Sequence, residues 1–185
     1  MNYWFSEDKK IKLYNEDCLI VLQKLLDIGM KDKIDLIVCD PPYRVTSRGN
    51  AGNSGGMLQE KINRQGKVFK HNDLDCKDWF KLCYELLKDG GHCYIMCNHT
   101  NLQNYLNVAK DSGFHFIKSL TFKPVELMKI LIENSSKEKE LILDFACGVG
   151  STLLACQELN RQGIGCEIDE NYYNIAVKRL KDEPL

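Results

Sequence analysis

No apolar run in this 185-residue sequence approaches the roughly 20 residues that a bilayer-spanning helix needs, so no membrane partner is expected. The first residues, Met1-Asn2-Tyr3-Trp4-Phe5-Ser6-Glu7-Asp8, lack a basic stretch followed by an apolar one, and a cytoplasmic protein is therefore expected. An excess of one charge is lacking too. Lys and Arg number 25 against 26 Asp and Glu, so the whole-chain charge of −1 offers nucleic acid no attraction. Cysteine is plentiful, at nine residues, but no Cys-x-x-Cys pair occurs and most of the thiols lie inside apolar segments. Buried reduced cysteines acting as small hydrophobes follow from that pattern, and neither a disulfide framework nor a metal is expected. His71, His92, His99 and His115 have no metal-ligand spacing, and no internal repeat is present.

What is present is the alternation of short β-like runs with helical ones, in a length suited to a single domain over residues 1–185. Strands are expected at Ile11–Tyr14, Ile34–Cys39, His92–Cys97, Phe114–Leu120, Leu141–Phe145 and Gly163–Glu167. Helices are expected at Cys18–Ile28, Asp75–Leu87, Leu102–Lys110, Pro124–Glu133, Thr152–Leu159 and Glu170–Leu180, with Asp17 and Asp169 as N-caps and Pro124 in a first turn. The implied fold is α/β, with a mostly parallel sheet of about six strands. Residues 44–73 carry little periodic apolar character and form a long basic loop. Arg44, Arg48, Lys61, Arg64, Lys67 and Lys70 oppose the single acid Glu60, a balance suited to phosphates or to a solvated loop.

Two motifs carry chemistry. Asp40-Pro41-Pro42-Tyr43 follows the apolar run Ile34–Cys39, at the carboxyl end of a strand, where open parallel sheets bind ligands. The exocyclic amine of a nucleobase is a poor nucleophile because its lone pair is delocalised into the ring. A carboxylate (Asp40) and a fixed backbone carbonyl (Pro41) can each accept one amine hydrogen and localise that lone pair. Pro41 and Pro42 restrict the backbone so that the carbonyl stays aimed, and Tyr43 offers a flat face to a base removed from its duplex. Taken alone, the same four residues also suit a rigid turn with an aromatic anchor. Trp79 and Phe80 suit the core, and Asn98 and His99 suit a turn.

The second motif runs Leu141-Ile142-Leu143-Asp144-Phe145-Ala146-Cys147-Gly148-Val149-Gly150-Ser151-Thr152, which reads as strand, acid, Gly-x-Gly turn and helix. A later strand, Gly163-Ile164-Gly165-Cys166, ends in Glu167. Glycines that let the backbone approach a ligand, with an acid at the next strand end to accept from ribose hydroxyls, make a nucleoside site. Leu153 stands where a dinucleotide fingerprint needs its third glycine, and no Lys follows the glycines as a P-loop requires. S-adenosylmethionine has no pyrophosphate to cradle and suits the pattern better.

With both motifs in this order, the chain resembles the amino-methyltransferases of restriction-modification systems and bacteriophages, in the subgroup whose catalytic motif precedes the cofactor motif. The opposite order and a leading Asn distinguish protein-glutamine and most ribosomal RNA methyltransferases. The resemblance implies a Rossmann-like S-adenosylmethionine-dependent methyltransferase sandwich, circularly permuted in motif order, that methylates adenine N6 in double-stranded DNA. It assigns Asp40, Pro41, Pro42 and Tyr43 to catalysis. It assigns Asp17, Cys18, Asp40, Lys123, Asp144, Phe145, Ala146, Gly148, Gly150, Ser151, Thr152, Glu167 and Ile168 to the cofactor, through Asn15-Glu16-Asp17-Cys18 at its adenine end and Lys123-Pro124-Val125-Glu126-Leu127 at its methionine end. Arg44 and Arg48 follow the catalytic turn and are the candidates for DNA phosphates.

One departure is large. Relatives continue from a strand like Phe114–Leu120 into a further strand and a target-recognition segment, whereas only Thr121 and Phe122 separate Leu120 from Lys123 here. The recognition segment is therefore expected to be missing between residues 120 and 123, and the strand to pair elsewhere or leave an exposed edge. A homodimer, or a partner that supplies sequence recognition, fits that loss. The alternatives are a methyltransferase acting on RNA or a small molecule, a non-catalytic remnant or regulatory subunit and, more distantly, a Rossmann oxidoreductase.

Overall fold

The structure, a computed structural model, describes residues 2–42, 74–119 and 127–182. In chain order these form β1 (Asn2–Phe5), β2 (Ile11–Asn15), α1 (Cys18–Asp27), β3 (Ile34–Cys39), α2 (Cys76–Leu86) and β4 (Leu87–Ile95). There follow α3 (His99–Asp111), α4 (Leu127–Ser135), β5 (Leu141–Asp144), α5 (Ser151–Glu158), β6 (Gln162–Glu167) and α6 (Glu170–Asp182). The six strands make one sheet in the order β1-β2-β6-β5-β3-β4, parallel throughout except for β1, which pairs antiparallel with β2. The α/β fold with a mostly parallel sheet is the one expected.

Central β3, Ile34-Asp35-Leu36-Ile37-Val38-Cys39, is nearly continuously apolar because helices cover both of its faces. Ile37 and Cys39 point into a core with α1, α2 and α3, while Leu36 and Val38 point into a second core with α4, α5 and α6. Helix α2 buries Cys76, Trp79, Phe80, Cys83 and Leu86, the spacing of one helical stripe. Trp79 stacks on Phe80 and leans on Phe145 and Tyr105, as its core assignment required. At the amino edge of the sheet, Asp35 accepts from the Leu141 amide and pairs with Lys88, which also reaches Glu140. All nine cysteines are free thiols.

The expected N-caps form: Asp17 accepts from the Leu19 amide at 2.8 Å, and Asp169 from the Asn171 amide at 2.8 Å. Asn98 also caps, holding the Asn101 amide at the start of α3, so the Asn98-His99 pair is a helix entry. The largest correction concerns Phe114–Leu120. Residues 114–119 are in no strand, and residue 120 lies outside the described residues. Phe114 docks on Phe80 and Tyr84, while Phe116 and Ile117 stand 63% and 75% exposed, so the apolar run has one anchor instead of a neighbouring strand. A strand not anticipated, β1, takes the sixth place. Its Tyr3 and Phe5 lie with Tyr14 around the Lys12 ammonium, and this cross-strand packing is invisible in a four-residue run. Strand β4 begins at Leu87 rather than His92 because Leu87 pairs with Ile34 before a register shift lets His92 meet Leu36. The Pro124 helix start also lies outside the described residues, and α4 is described from Leu127.

Candidate active site at the carboxyl edge of the sheet

Because β2, β6, β5, β3 and β4 are parallel, their carboxyl ends share one edge of the sheet. From β5 the chain crosses through α5 to β6 on one side, while β4 flanks β3 on the other. The order therefore reverses between β5 and β3, and at such a switch point an open α/β sheet has a crevice at its carboxyl edge. Asp40 follows β3 on one side of the switch point and Asp144 ends β5 on the other. Glu167 and Asn15 end the two strands beyond.

Asp40 presents an exposed side chain, yet the surrounding strand ends desolvate its carboxyl enough to raise its pKa above the usual value. The Met96 amide donates to the Cys39 carbonyl at 2.9 Å and fixes the backbone just before it. Pro41 is buried and Pro42 half-buried, so the turn is rigid on both sides of the peptide they share. Tyr43, Arg44, Arg48 and Lys123 lie outside the described residues.

On the β5 side the chain turns through Cys147-Gly148-Val149-Gly150 into α5. Gly148 and Gly150 have φ of +54° and +80°, in the left-handed region that favours glycine. A Cβ on Gly148 would meet nothing within 4 Å, so the backbone there faces open space, whereas one on Gly150 would lie 3.0 Å from the Ala176 Cβ of α6. Gly150→Ala should therefore destabilise the fold by about 2 kcal/mol and Gly148→Ala by about 1 kcal/mol in urea denaturation. Equal losses would contradict the contact with α6.

Asp144 is 3% exposed, and its carboxylate accepts from the Ala146 amide, the Thr152 hydroxyl and the Cys39 thiol. Burial pushes its pKa up to about 6, against the pull of those donors. It thus ties β3 to the glycine turn from inside. Phe145 is also enclosed, against Trp79, leaving its backbone at the edge. An acid whose folded pKa is raised contributes no penalty below its unfolded value of 3.8, and its ionisation costs stability as pH rises towards about 6. That penalty amounts to about 3 kcal/mol at about 1.4 kcal/mol per pKa unit. Asp144→Asn should flatten the loss of stability between pH 4 and pH 7 in denaturant titrations; an unchanged slope would place the proton elsewhere.

Glu167 joins the turn to the next strand end. Its Oε2 accepts from the Gly148 amide at 2.9 Å and its Oε1 from the Asp169 amide at 2.8 Å, while burial raises its pKa. Ile168, beside it, leaves an exposed apolar surface. Asn15, not among the expected site residues, donates from Nδ2 to the Glu167 carbonyl at 3.0 Å and to the Ile168 carbonyl at 3.4 Å. Asp17 is spent on capping α1, and the thiol of Cys18 beside it is raised to about 12 by burial and the Asp17 charge. Ser151 is exposed at the first turn of α5, with Thr152 buried behind it. The open backbone at Gly148, the partly buried Glu167 carboxylate and the exposed Ile168 face together fit a nucleoside.

A sheet with this strand order, a glycine turn after β5 and an acid ending β6 is an arrangement that suits a nucleoside at its carboxyl edge. The DNA methylase family model, N6_N4_Mtase, matches residues 34–123 and 118–178, and the chain belongs to that family. It is 37% identical to the Type II methyltransferase M.HinfI of Haemophilus influenzae, over 90% of this chain and 67% of that protein. It is 45% identical to the Type II methyltransferase M.HindIII of Haemophilus influenzae, over 45% of this chain and only 26% of that protein. The fold is that of the crystal structure of M1.HpyAVI, with a TM-score of 0.66 at 18% identity, covering 92% of this chain and 99% of that one.

Proposed function

We propose that this chain transfers a methyl group from S-adenosylmethionine to the N6 amine of adenine in double-stranded DNA. The observation that carries this is the pairing of Asp40-Pro41-Pro42 at the end of β3 with the glycine turn and Glu167 across the switch point. S-adenosylmethionine, when bound, would supply an electrophilic sulfonium methyl, and breaking its S–CH3 bond would leave S-adenosylhomocysteine. Glu167 would accept from the ribose hydroxyls, Ile168 would offer its exposed apolar face to the adenine, and the open backbone at Gly148–Gly150 would face the nucleoside. Asp17, Cys18, Ser151 and Lys123 belong to the same site on this reading, and Asp144 with Thr152 sets the shape of the turn. Asp40 and the Pro41 carbonyl each hold one hydrogen of the target amine, and Tyr43 stacks on the flipped base. As the nitrogen gains the methyl it loses a proton, for which the raised pKa of Asp40 makes its carboxylate a better acceptor than an ordinary Asp. Orientation of amine and methyl supplies much of the rate.

Residues 1–185 make one domain on this account, with Arg44 and Arg48 of the basic 44–73 segment on DNA phosphates and the protein in the cytoplasm. The recognition segment is missing between residues 120 and 123. Two findings support that: the family match divides at residues 118–123, and the alignment with M.HinfI runs over 244 positions, more than this chain's 185 residues. A partner chain or a second copy then supplies sequence recognition. The same gap favours a second reading, a remnant or regulatory subunit that binds cofactor without transfer.

Incubation with methyl-labelled S-adenosylmethionine and a random duplex pool, then digestion to nucleosides, tests the proposal. Label in N6-methyl-2′-deoxyadenosine is expected. Label in N4-methyl-2′-deoxycytidine would reassign the base, label in a parallel RNA pool the substrate, and no label despite cofactor binding would leave the remnant.

A further inference from the structure

Helix α6 is fastened to both halves of the candidate cofactor site. At its start, the Asp169 amide donates to Glu167 Oε1 at 2.8 Å, and Asp169 in turn caps the helix through the Asn171 amide. Towards its end, Arg179 Nη1 donates to the Val149 carbonyl at 2.8 Å and to Ser151 Oγ at 3.3 Å. Between the two, Ala176 lies where any side chain on Gly150 would fall. A basic residue in a last helical turn ordinarily serves its own helix's free carbonyls. Arg179 instead reaches out of α6 and fixes the middle peptide of a turn whose two glycines both hold positive φ.

That peptide matters because its orientation decides which backbone groups Gly148 and Gly150 present to the crevice. Glycines in the left-handed region exchange conformations at little cost, so the turn needs an outside restraint to keep one shape. The Cys166 carbonyl accepts from the Cys147 amide at 3.0 Å where the turn begins, but among the described residues the Gly148–Val149 backbone itself is held by two side chains: the Glu167 carboxylate on the Gly148 amide, and the Arg179 guanidinium on the Val149 carbonyl.

We infer that Arg179 is a positioning residue for the cofactor turn, holding the Val149 peptide so that the Gly148–Gly150 backbone is preorganised for the nucleoside of S-adenosylmethionine. The inference rests on the proposed cofactor, but the restraint on the turn can be measured without it.

The test compares the full chain with Arg179→Met and Arg179→Lys. Without ligand, the Gly150 amide, which donates to the Cys147 carbonyl, should exchange with solvent about 10-fold faster in Arg179→Met, with amides of β3 unchanged. With ligand, S-adenosylmethionine affinity should fall at least ~10-fold, the scale of a hydrogen bond to a charged group. KM for the cofactor should rise while KM for DNA stays level, and Arg179→Lys, with one donor point instead of a fork, should recover part of the loss. Unchanged Gly150 exchange would overturn the inference, as would unchanged affinity or equal loss of cofactor and DNA binding. If the parent binds no S-adenosylmethionine yet the exchange effect appears, the cofactor assignment fails and the restraint by Arg179 stands.

Discussion

Asp40→Ala should lower methyl transfer by ~10³-fold or more, a far larger loss than any in S-adenosylmethionine affinity, because the carboxylate acts above all on the target amine. Loss of one of two acceptors leaves the amine lone pair delocalised into the ring and removes the group that takes up the departing proton. Asp40→Asn keeps the shape and one acceptor oxygen, so it should retain more activity than Ala but lack proton acceptance. Since the pKa of Asp40 is raised by desolvation, the rate should fall as pH drops through that raised value. Single-turnover rates followed downward from pH 8 to the acid limit of the fold, with calorimetric affinities alongside, check both parts. A parent-like rate in Asp40→Ala would remove the residue from catalysis.

The second large effect belongs to Glu167→Ala. Two hydrogen bonds from ribose hydroxyls to a carboxylate are worth about 1.5–3 kcal/mol each, so affinity should fall ~10²-fold or more. The same change frees the Gly148 amide and the Asp169 amide, loosening the turn and the start of α6 together. Glu167→Gln keeps one acceptor and should lose less. As pH falls through the raised pKa of Glu167, its carboxylate gains a proton and affinity should decline in the parent but not in Glu167→Gln. Calorimetry with S-adenosylmethionine reads the affinities, and circular dichroism shows that the fold survives.

Much of the site was legible because its chemistry lies in short stretches. Asp40-Pro41-Pro42 needs only a preceding apolar strand to be placed at a sheet end, and Asp144 to Gly150 encodes a strand, an acid and a turn in consecutive residues. The nearly continuous apolar run of β3 and the spacing of Trp79, Phe80 and Cys83 on α2 likewise foretell burial from local pattern. Long-range partners were not legible. Asn15 meets the Glu167 carbonyl across 152 residues, and Arg179 meets Val149 across 30, contacts that depend on β2 lying beside β6 and on α6 folding back over the turn. The same limit explains the exchange of β1 for 114–119. The local composition of His115-Phe116-Ile117 favours a strand, but a strand requires a neighbour, and Tyr3-Trp4-Phe5 has one in β2. Asp144 shows a subtler limit: its position in the motif was plain, whereas the donors that occupy its carboxylate come from Cys39 and Thr152.

The most direct test of where the cofactor binds is the set of backbone amide shifts induced by S-adenosylmethionine in the isotopically labelled chain. Shifts concentrated at Gly148, Val149, Glu167 and Ile168, with Tyr3 and Phe5 of the β1 edge unmoved, are the predicted result. Shifts confined to another surface, or none at millimolar cofactor with the fold intact, would contradict a cofactor site at the carboxyl edge of the sheet.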